Sequence, residues 1–233
     1  MDRCIRLCCN LRVSVMPRSL LVLEFLLLFI ALPLAYRLSP VRIPALPLLW
    51  GVTAYAAWQL FRDPNFSRSH LWKAASIAPH LGAILAVFVV AAFLLWLGVH
   101  RFAPRLEWNF VRNNPGFWAV VMIAYPVLSV YPQGLIYRAF FFERYGTLFS
   151  GRWTMILASA VAFAFMHIIF RNSLAVALTF AGGLLFAARY AETGSLATSS
   201  FEHALYGCWL FTIGLGQYFY HGTISTVGSV MRR

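Results

Sequence analysis

Long runs of apolar residues constrain this sequence more than any other feature. Six of them reach or approach the roughly 20 residues that an α-helix needs to cross the hydrocarbon core of a membrane. The composition agrees, because 61% of the 233 residues are hydrophobic and only 11% are charged, whereas soluble domains are about half apolar and about a quarter charged. We therefore predict a multi-pass integral membrane protein and exclude a soluble enzyme, a disordered chain and a disulfide-stapled secreted domain.

The predicted fold class is all-α, a polytopic transmembrane bundle of about eight helices, because no segment alternates polar and apolar residues with the period of a strand. We predict that residues 1–115 hold a basic lead and three accessory transmembrane helices, residues 116–215 a core, and residues 216–233 a C-terminal tail. Within the core we expect one helix to end or kink around Tyr131–Pro132, since proline removes a backbone hydrogen bond.

The first 18 residues include four arginines, and they precede the apolar run Ser19–Tyr36. This run is long for the apolar region of a signal peptide and lacks a small-residue cleavage site, so we expect an uncleaved first span. Met16 is an alternative start of the protein. That start would place Cys4, Cys8 and Cys9 outside it.

The net charge of +12 also bears on partners. The basic residues are scattered singly between apolar stretches, a pattern typical of anchoring at lipid headgroups. A basic stripe with interleaved aromatic residues is missing, so we expect no nucleic-acid partner. The expected partners are membrane lipids, and the expected location is the cell membrane.

Ionisable residues inside membrane spans are costly and usually functional. The first half of the chain has mainly Glu24 and His80, each near a span end or alone, so we expect any chemistry to lie after residue 115. In the second half, His167 and His203 lie on separate apolar helices. Two such histidines can meet inside a bundle and hold a divalent metal such as zinc or polarise a water. Alternatively, each is a core residue bonded to a backbone carbonyl.

Three short segments of the second half form an ordered set of motifs. The first reads PQGLIYR over 132–138, the second FAFMH over 163–167, and the third FEHALYG over 201–207. Together they resemble the motifs of the CAAX-protease and bacteriocin-processing intramembrane family (the CPBP or Abi family). The first family motif is two adjacent glutamates, three residues and an arginine, the second is Phe-x-x-x-His, and the third carries a histidine on the last core helix.

The resemblance implies a helical core around a water-filled cavity and an endopeptidase that cleaves a membrane-associated or prenylated peptide or protein. It implies catalytic positions at Gln133, Gly134, Arg138, His167 and His203. In the family a glutamate of the first motif activates water, either beside a metal that the two histidines hold or with no metal. Attack on an amide needs such a base and a donor or cation for the oxyanion. We therefore expect the two imidazoles and the guanidinium to converge on a common wet pocket.

This sequence departs from the family at the glutamates, where it has Gln133 and Gly134. A glutamine amide cannot act as a base near neutral pH, and glycine leaves Arg138 without its carboxylate partner. The resemblance therefore predicts either an endopeptidase or an inactive member. The alternatives are a non-catalytic binding or immunity protein that uses the same cavity and a small transporter, which the lack of inverted repeats disfavours.

Overall fold

The computed structural model describes residues 17–41 and 44–219, and these residues form helices and short connections without a strand. Met16, the three N-terminal cysteines and residues 220–233 of the predicted tail lie outside the described residues. The long helices are α1 (Arg18–Leu38), α2 (Ala45–Arg62), α3 (Ala74–Phe102), α4 (Pro115–Tyr145), α5 (Arg152–Phe170), α6 (Ser173–Thr193) and α7 (Leu196–Ile213). Among them α1, α3, α4, α5 and α6 are long and apolar enough to cross a membrane. The predicted all-α membrane bundle is confirmed.

Helix α4 runs unbroken through the point where we predicted its end. Two wide, π-helical turns, Pro126–Val130 and Leu135–Phe140, flank the short α-helical segment that contains Pro132. Wide turns re-route the backbone hydrogen bonds around a proline, so a membrane helix can tolerate the ring in its interior. The expected helix end at Tyr131–Pro132 is therefore wrong, and one long helix replaces two predicted ones.

Helix α5 is at the centre of the bundle, and α1 and α3 are at its periphery. Half of the apolar window of α5 is buried inside the protein, compared with 17% for α1 and for α3. Gly183 lets α6 approach α5 closely, because a Cβ atom added there would lie 3.1 Å from the Cα atom of Ala160. Small residues at such contacts are the usual means by which membrane helices pack.

An ion pair joins α1 to α4 at the edge of an aromatic core. The Arg144 guanidinium donates two hydrogen bonds to the Glu24 carboxylate, at 3.1 and 2.7 Å, and the Tyr145 hydroxyl donates a third at 3.0 Å. The sequence suggested that Glu24 is near a span end or alone, but the structure pairs it with Arg144 and Tyr145. Glu24 fixes the first helix against the helix that carries Arg138.

The connection between α3 and α4 is organised around the Glu107 carboxylate. It accepts hydrogen bonds from the indole N–H of Trp96 at 2.8 Å, the indole N–H of Trp108 at 3.0 Å and His100 Nδ1 at 2.9 Å. These donors, with His100 and Trp96 making the largest contributions, lower the pKa of Glu107 below its ordinary value.

Candidate functional site

Arg138 is fully buried on α4, with 1% of its surface exposed. One terminal nitrogen donates to the Tyr137 carbonyl at 3.3 Å and to the Ser159 hydroxyl at 3.4 Å, while Nε has no hydrogen-bond partner. Within 17–41 and 44–219 no carboxylate forms an ion pair with Arg138. A buried guanidinium without an anion is costly.

The ring of Phe163 on α5 brings the three predicted ionisable groups together. The guanidinium carbon of Arg138 lies 4.8 Å from the ring centroid, and the imidazoles of His167 and His203 lie 4.7 and 5.5 Å from it. The three motifs therefore meet around one aromatic ring.

His167 has a defined tautomer. It lies where α5 tightens into a final 3₁₀ turn, and its Nδ1 is 2.7 Å from the Phe163 carbonyl oxygen. Because a carbonyl only accepts, Nδ1 carries the proton and Nε2 keeps a free lone pair. The imidazole can thus accept a proton or bind a cation through Nε2.

His203 on α7 is enclosed by aromatic rings. It stacks on Phe186 with centroids 4.4 Å apart, and it meets Phe163 edge to face. Its ring nitrogens have no hydrogen-bond partner in the part of the chain that the structure describes. We gave the alternative that each histidine is a core residue bonded to a backbone carbonyl. In the described residues, His167 makes such a bond through Nδ1 and His203 does not.

The two positions of the missing glutamates differ in their surroundings. The side-chain amide of Gln133 donates to the Ser129 hydroxyl at 2.7 Å. Gly134 packs against α7, where a Cβ atom would lie 2.8 Å from Leu196 Cδ1 and 2.9 Å from Ser200 Oγ. The volume in which a glutamate side chain would begin is therefore filled by α7.

A large cavity of about 1040 Å³ reaches part of this site. Gln133 and His167 line it, together with residues of α1, α2 and α4, whereas Gly134, Arg138 and His203 do not. The predicted common pocket is thus divided. The three ionisable groups are neighbours, but Phe163 and Phe186 pack around Arg138 and His203, and only His167 faces the cavity.

Three buried polar atoms lie unpaired near Arg138 and His203. Besides Arg138 Nε, they are the hydroxyl oxygens of Ser200 and Tyr206. No feature of the sequence singled out the two hydroxyls, because serine and tyrosine are common in apolar helices. Glu202 beside His203 does not substitute for the missing acid, since its carboxylate accepts a hydrogen bond from Arg189 on α6 at 2.9 Å.

The described residues do not form a metal site. Structural and catalytic zinc sites use at least three protein ligands, and the described residues contain no group of three or more His, Cys, Asp or Glu side chains that could hold a metal ion. His167 and His203 both pack against the Phe163 ring, and within 17–41 and 44–219 no third ligand joins them.

Comparison with known proteins agrees with the motifs. Residues 114–209 match the model of the family described as Type II CAAX prenyl endopeptidase Rce1-like. The matched segment contains all five predicted site positions, and the resemblance predicted from the motifs is confirmed for it. No curated protein and no solved structure matches the chain.

Proposed function

We propose that this integral membrane protein, which carries an Rce1-like domain over residues 114–209, binds membrane-anchored lipidated peptides in its cavity without cleaving them. Proteins of the matched family are described as prenyl endopeptidases, so the coarse function is recognition of a prenylated chain at a membrane. The cell membrane is the proposed location. The finer proposal is that the chain binds such a peptide without cleaving it.

The missing carboxylate is the observation that carries the proposal. Amide hydrolysis needs a base that activates water, and no acid stands beside Arg138 in the described residues. Leu196 and Ser200 occupy the space next to Gly134, so the chain has packed over the position instead of leaving it open. Loss of the base with retention of the cavity favours binding over catalysis.

The cavity suits an apolar ligand that carries a peptide. Its volume is at the upper end of the range of about 300–1,000 Å³ that is usual for ligand sites. Aliphatic and aromatic side chains dominate its wall, and Gln133 and His167 are among the polar residues that line it. A prenyl group would bury its apolar surface there while the attached peptide contacts those two side chains.

One observation favours a second candidate, a weak endopeptidase that uses a histidine base. The Nε2 lone pair of His167 is free and the imidazole lines the cavity. In that case cleavage would be detectable in the natural sequence and would disappear in His167→Ala.

The test uses the full chain in vesicles and a prenylated peptide with a fluorophore and a quencher on opposite sides of the expected cleavage point. We expect saturable binding by the natural sequence and no cleavage above that of His167→Ala. Restoration of the acid requires Gly134→Glu together with Leu196→Ala, which removes side-chain atoms that a new Cβ would meet. Cleavage by this variant alone would show that the missing acid is what silences the site.

A matched pair of substitutions tests the cavity itself. Ala124 lines the cavity, and Ala124→Trp should fill it and weaken peptide binding. Val161→Trp introduces the same ring on the exposed face of α5, outside the cavity, and should leave binding unchanged. Equal binding by both variants would overturn the assignment of the cavity. Cleavage by the natural sequence that His167→Ala abolishes would overturn the non-catalytic proposal in favour of the second candidate.

A further inference from the structure

Two arginines stand together at one end of the cavity. Arg37 is the penultimate residue of α1 and Arg171 follows α5 directly, and both line the cavity. The Arg171 guanidinium reaches the end of α1, where it donates to the backbone carbonyl oxygen of Arg37 at 3.2 Å. Since the two helices end here, the pair lies at an end of the bundle, where a membrane protein meets the lipid headgroups.

Within the part of the chain that the structure describes, this pair has no acidic partner. Among residues 17–41 and 44–219, no Asp or Glu lies within ion-pair distance of Arg37 or Arg171. Arg171 also holds a left-handed backbone conformation, with φ at 58°, which an arginine adopts only where its surroundings favour it.

The wall of the cavity beyond the arginines is apolar. Leu28, Phe29, Leu49, Val121 and Ile136 are among its lining residues, and they extend from the arginines towards the interior of the bundle. The site therefore combines a cationic end at the headgroup level with a deep apolar chamber. A soluble anion would leave the chamber unfilled, and a neutral lipid would leave the two charges unmatched.

We infer that this cavity binds an anionic lipid, with an acyl chain in the chamber and the headgroup phosphate between Arg37 and Arg171. Basic pockets between transmembrane helices are known to hold anionic headgroups. A planar guanidinium presents paired N–H donors that match phosphate geometry, and two of them can share one phosphate. The inference goes beyond the proposed function, because it needs neither a peptide nor a missing acid. The acyl chain of the lipid and the prenyl group of a peptide would compete for the same chamber.

The experiment measures which lipids remain bound to the purified full chain. The protein is reconstituted in vesicles of equal parts phosphatidylglycerol and phosphatidylcholine with identical acyl chains, extracted in mild detergent and examined by native mass spectrometry. We expect phosphatidylglycerol to be enriched among the bound lipids. Each of Arg37→Gln and Arg171→Gln should reduce this enrichment about fivefold, the effect of one basic residue near a headgroup.

Two controls separate the site from charge in general. Arg152→Gln removes a cation from the other end of α5 and should leave the enrichment unchanged. The Arg37→Lys and Arg171→Lys variants keep the charge and should retain most of the preference. Equal retention of the two lipids by the natural sequence would overturn the inference, as would enrichment that survives Arg37→Gln with Arg171→Gln. Equal retention is expected if a neutral lipid fills the cavity, and surviving enrichment is expected if the anionic lipid binds elsewhere on the protein. Peptide binding is measured in a separate assay, so failure of the proposed function can be distinguished from failure of the lipid inference.

Discussion

Gly134 on α4 lies directly against Ser200 on α7: a Cβ atom at position 134 would be 2.9 Å from the Ser200 hydroxyl oxygen. The Leu196 side chain is as close from the adjoining turn of α7, and it is fully buried. The two helices are therefore held together at the position where the related family motif has a glutamate. Side chains of α7 therefore occupy the space beside Gly134.

We predict that Gly134→Ala destabilises the protein by about 1–3 kcal/mol, because an added methyl group overpacks a buried contact. Thermal unfolding in detergent, followed by loss of monodisperse protein, measures the effect. Gly82→Ala on α3 is the matched control, since nothing lies within 4 Å of a Cβ at Gly82. There alanine should be neutral or stabilise by up to about 1 kcal/mol. Equal stability of the two variants would show that α4 and α7 are not in close contact.

Replacement of Arg138 by methionine should stabilise the fold. The guanidinium is buried, and among the described residues its Nε has no hydrogen-bond partner and no acid forms an ion pair with it. The natural side chain therefore carries an uncompensated desolvation cost. Methionine fills similar volume without a charge, and we expect a gain of about 1–4 kcal/mol by analogy with buried ionic groups replaced by apolar residues. A lower unfolding temperature for Arg138→Met would mean that an anion or a chain of waters neutralises the arginine.

Arg189→Met should have the opposite effect. The Arg189 guanidinium donates to Glu202 at 2.9 Å and to the more exposed Glu192 at 2.7 Å. Loss of the arginine leaves the buried Glu202 carboxylate unpaired, which costs about 3–5 kcal/mol. Addition of Glu202→Gln should recover most of that loss in the same unfolding assay. If the double variant is no more stable than Arg189→Met, the cost does not come from the stranded carboxylate.

Much of the site could be predicted because its determinants are local in sequence. Phe163 and His167 are four residues apart, so one helix presents both on the same face. The motif order placed Arg138, His167 and His203 on three successive parts of the core, and the structure brings them around the Phe163 ring. The membrane bundle followed from the length of the apolar runs alone.

Features that depend on distant packing could not be predicted from the sequence. Glu24 forms an ion pair with Arg144, which is 120 residues away in the sequence, and no local pattern identifies that pair. The division of the expected wet pocket depends on how Phe163 and Phe186 pack, and aromatic residues are too frequent in these helices for that role to be apparent. Pro132 was misjudged because proline usually ends a helix in water, whereas wide turns accommodate it within α4.

Low pH should destabilise the connection between α3 and α4 by protonating Glu107. The pKa of Glu107 is lowered by its hydrogen bonds from His100, Trp96 and Trp108, so its folded value lies below the unfolded value of about 4.3. The ionised carboxylate therefore stabilises the fold at pH values above the unfolded pKa. This contribution is lost as the pH falls through the lower folded pKa.

Tryptophan fluorescence measures this transition, because two indoles donate to the same carboxylate. Between pH 7 and pH 3 we expect a change whose midpoint lies below about 4.3, the ordinary pKa of a glutamate. Glu107→Gln should remove that change from the titration. His100→Ala deletes the donor with the largest effect, so its midpoint should move up towards the ordinary value. A midpoint that His100→Ala leaves in place would show that the imidazole does not hold the carboxylate in its ionised form.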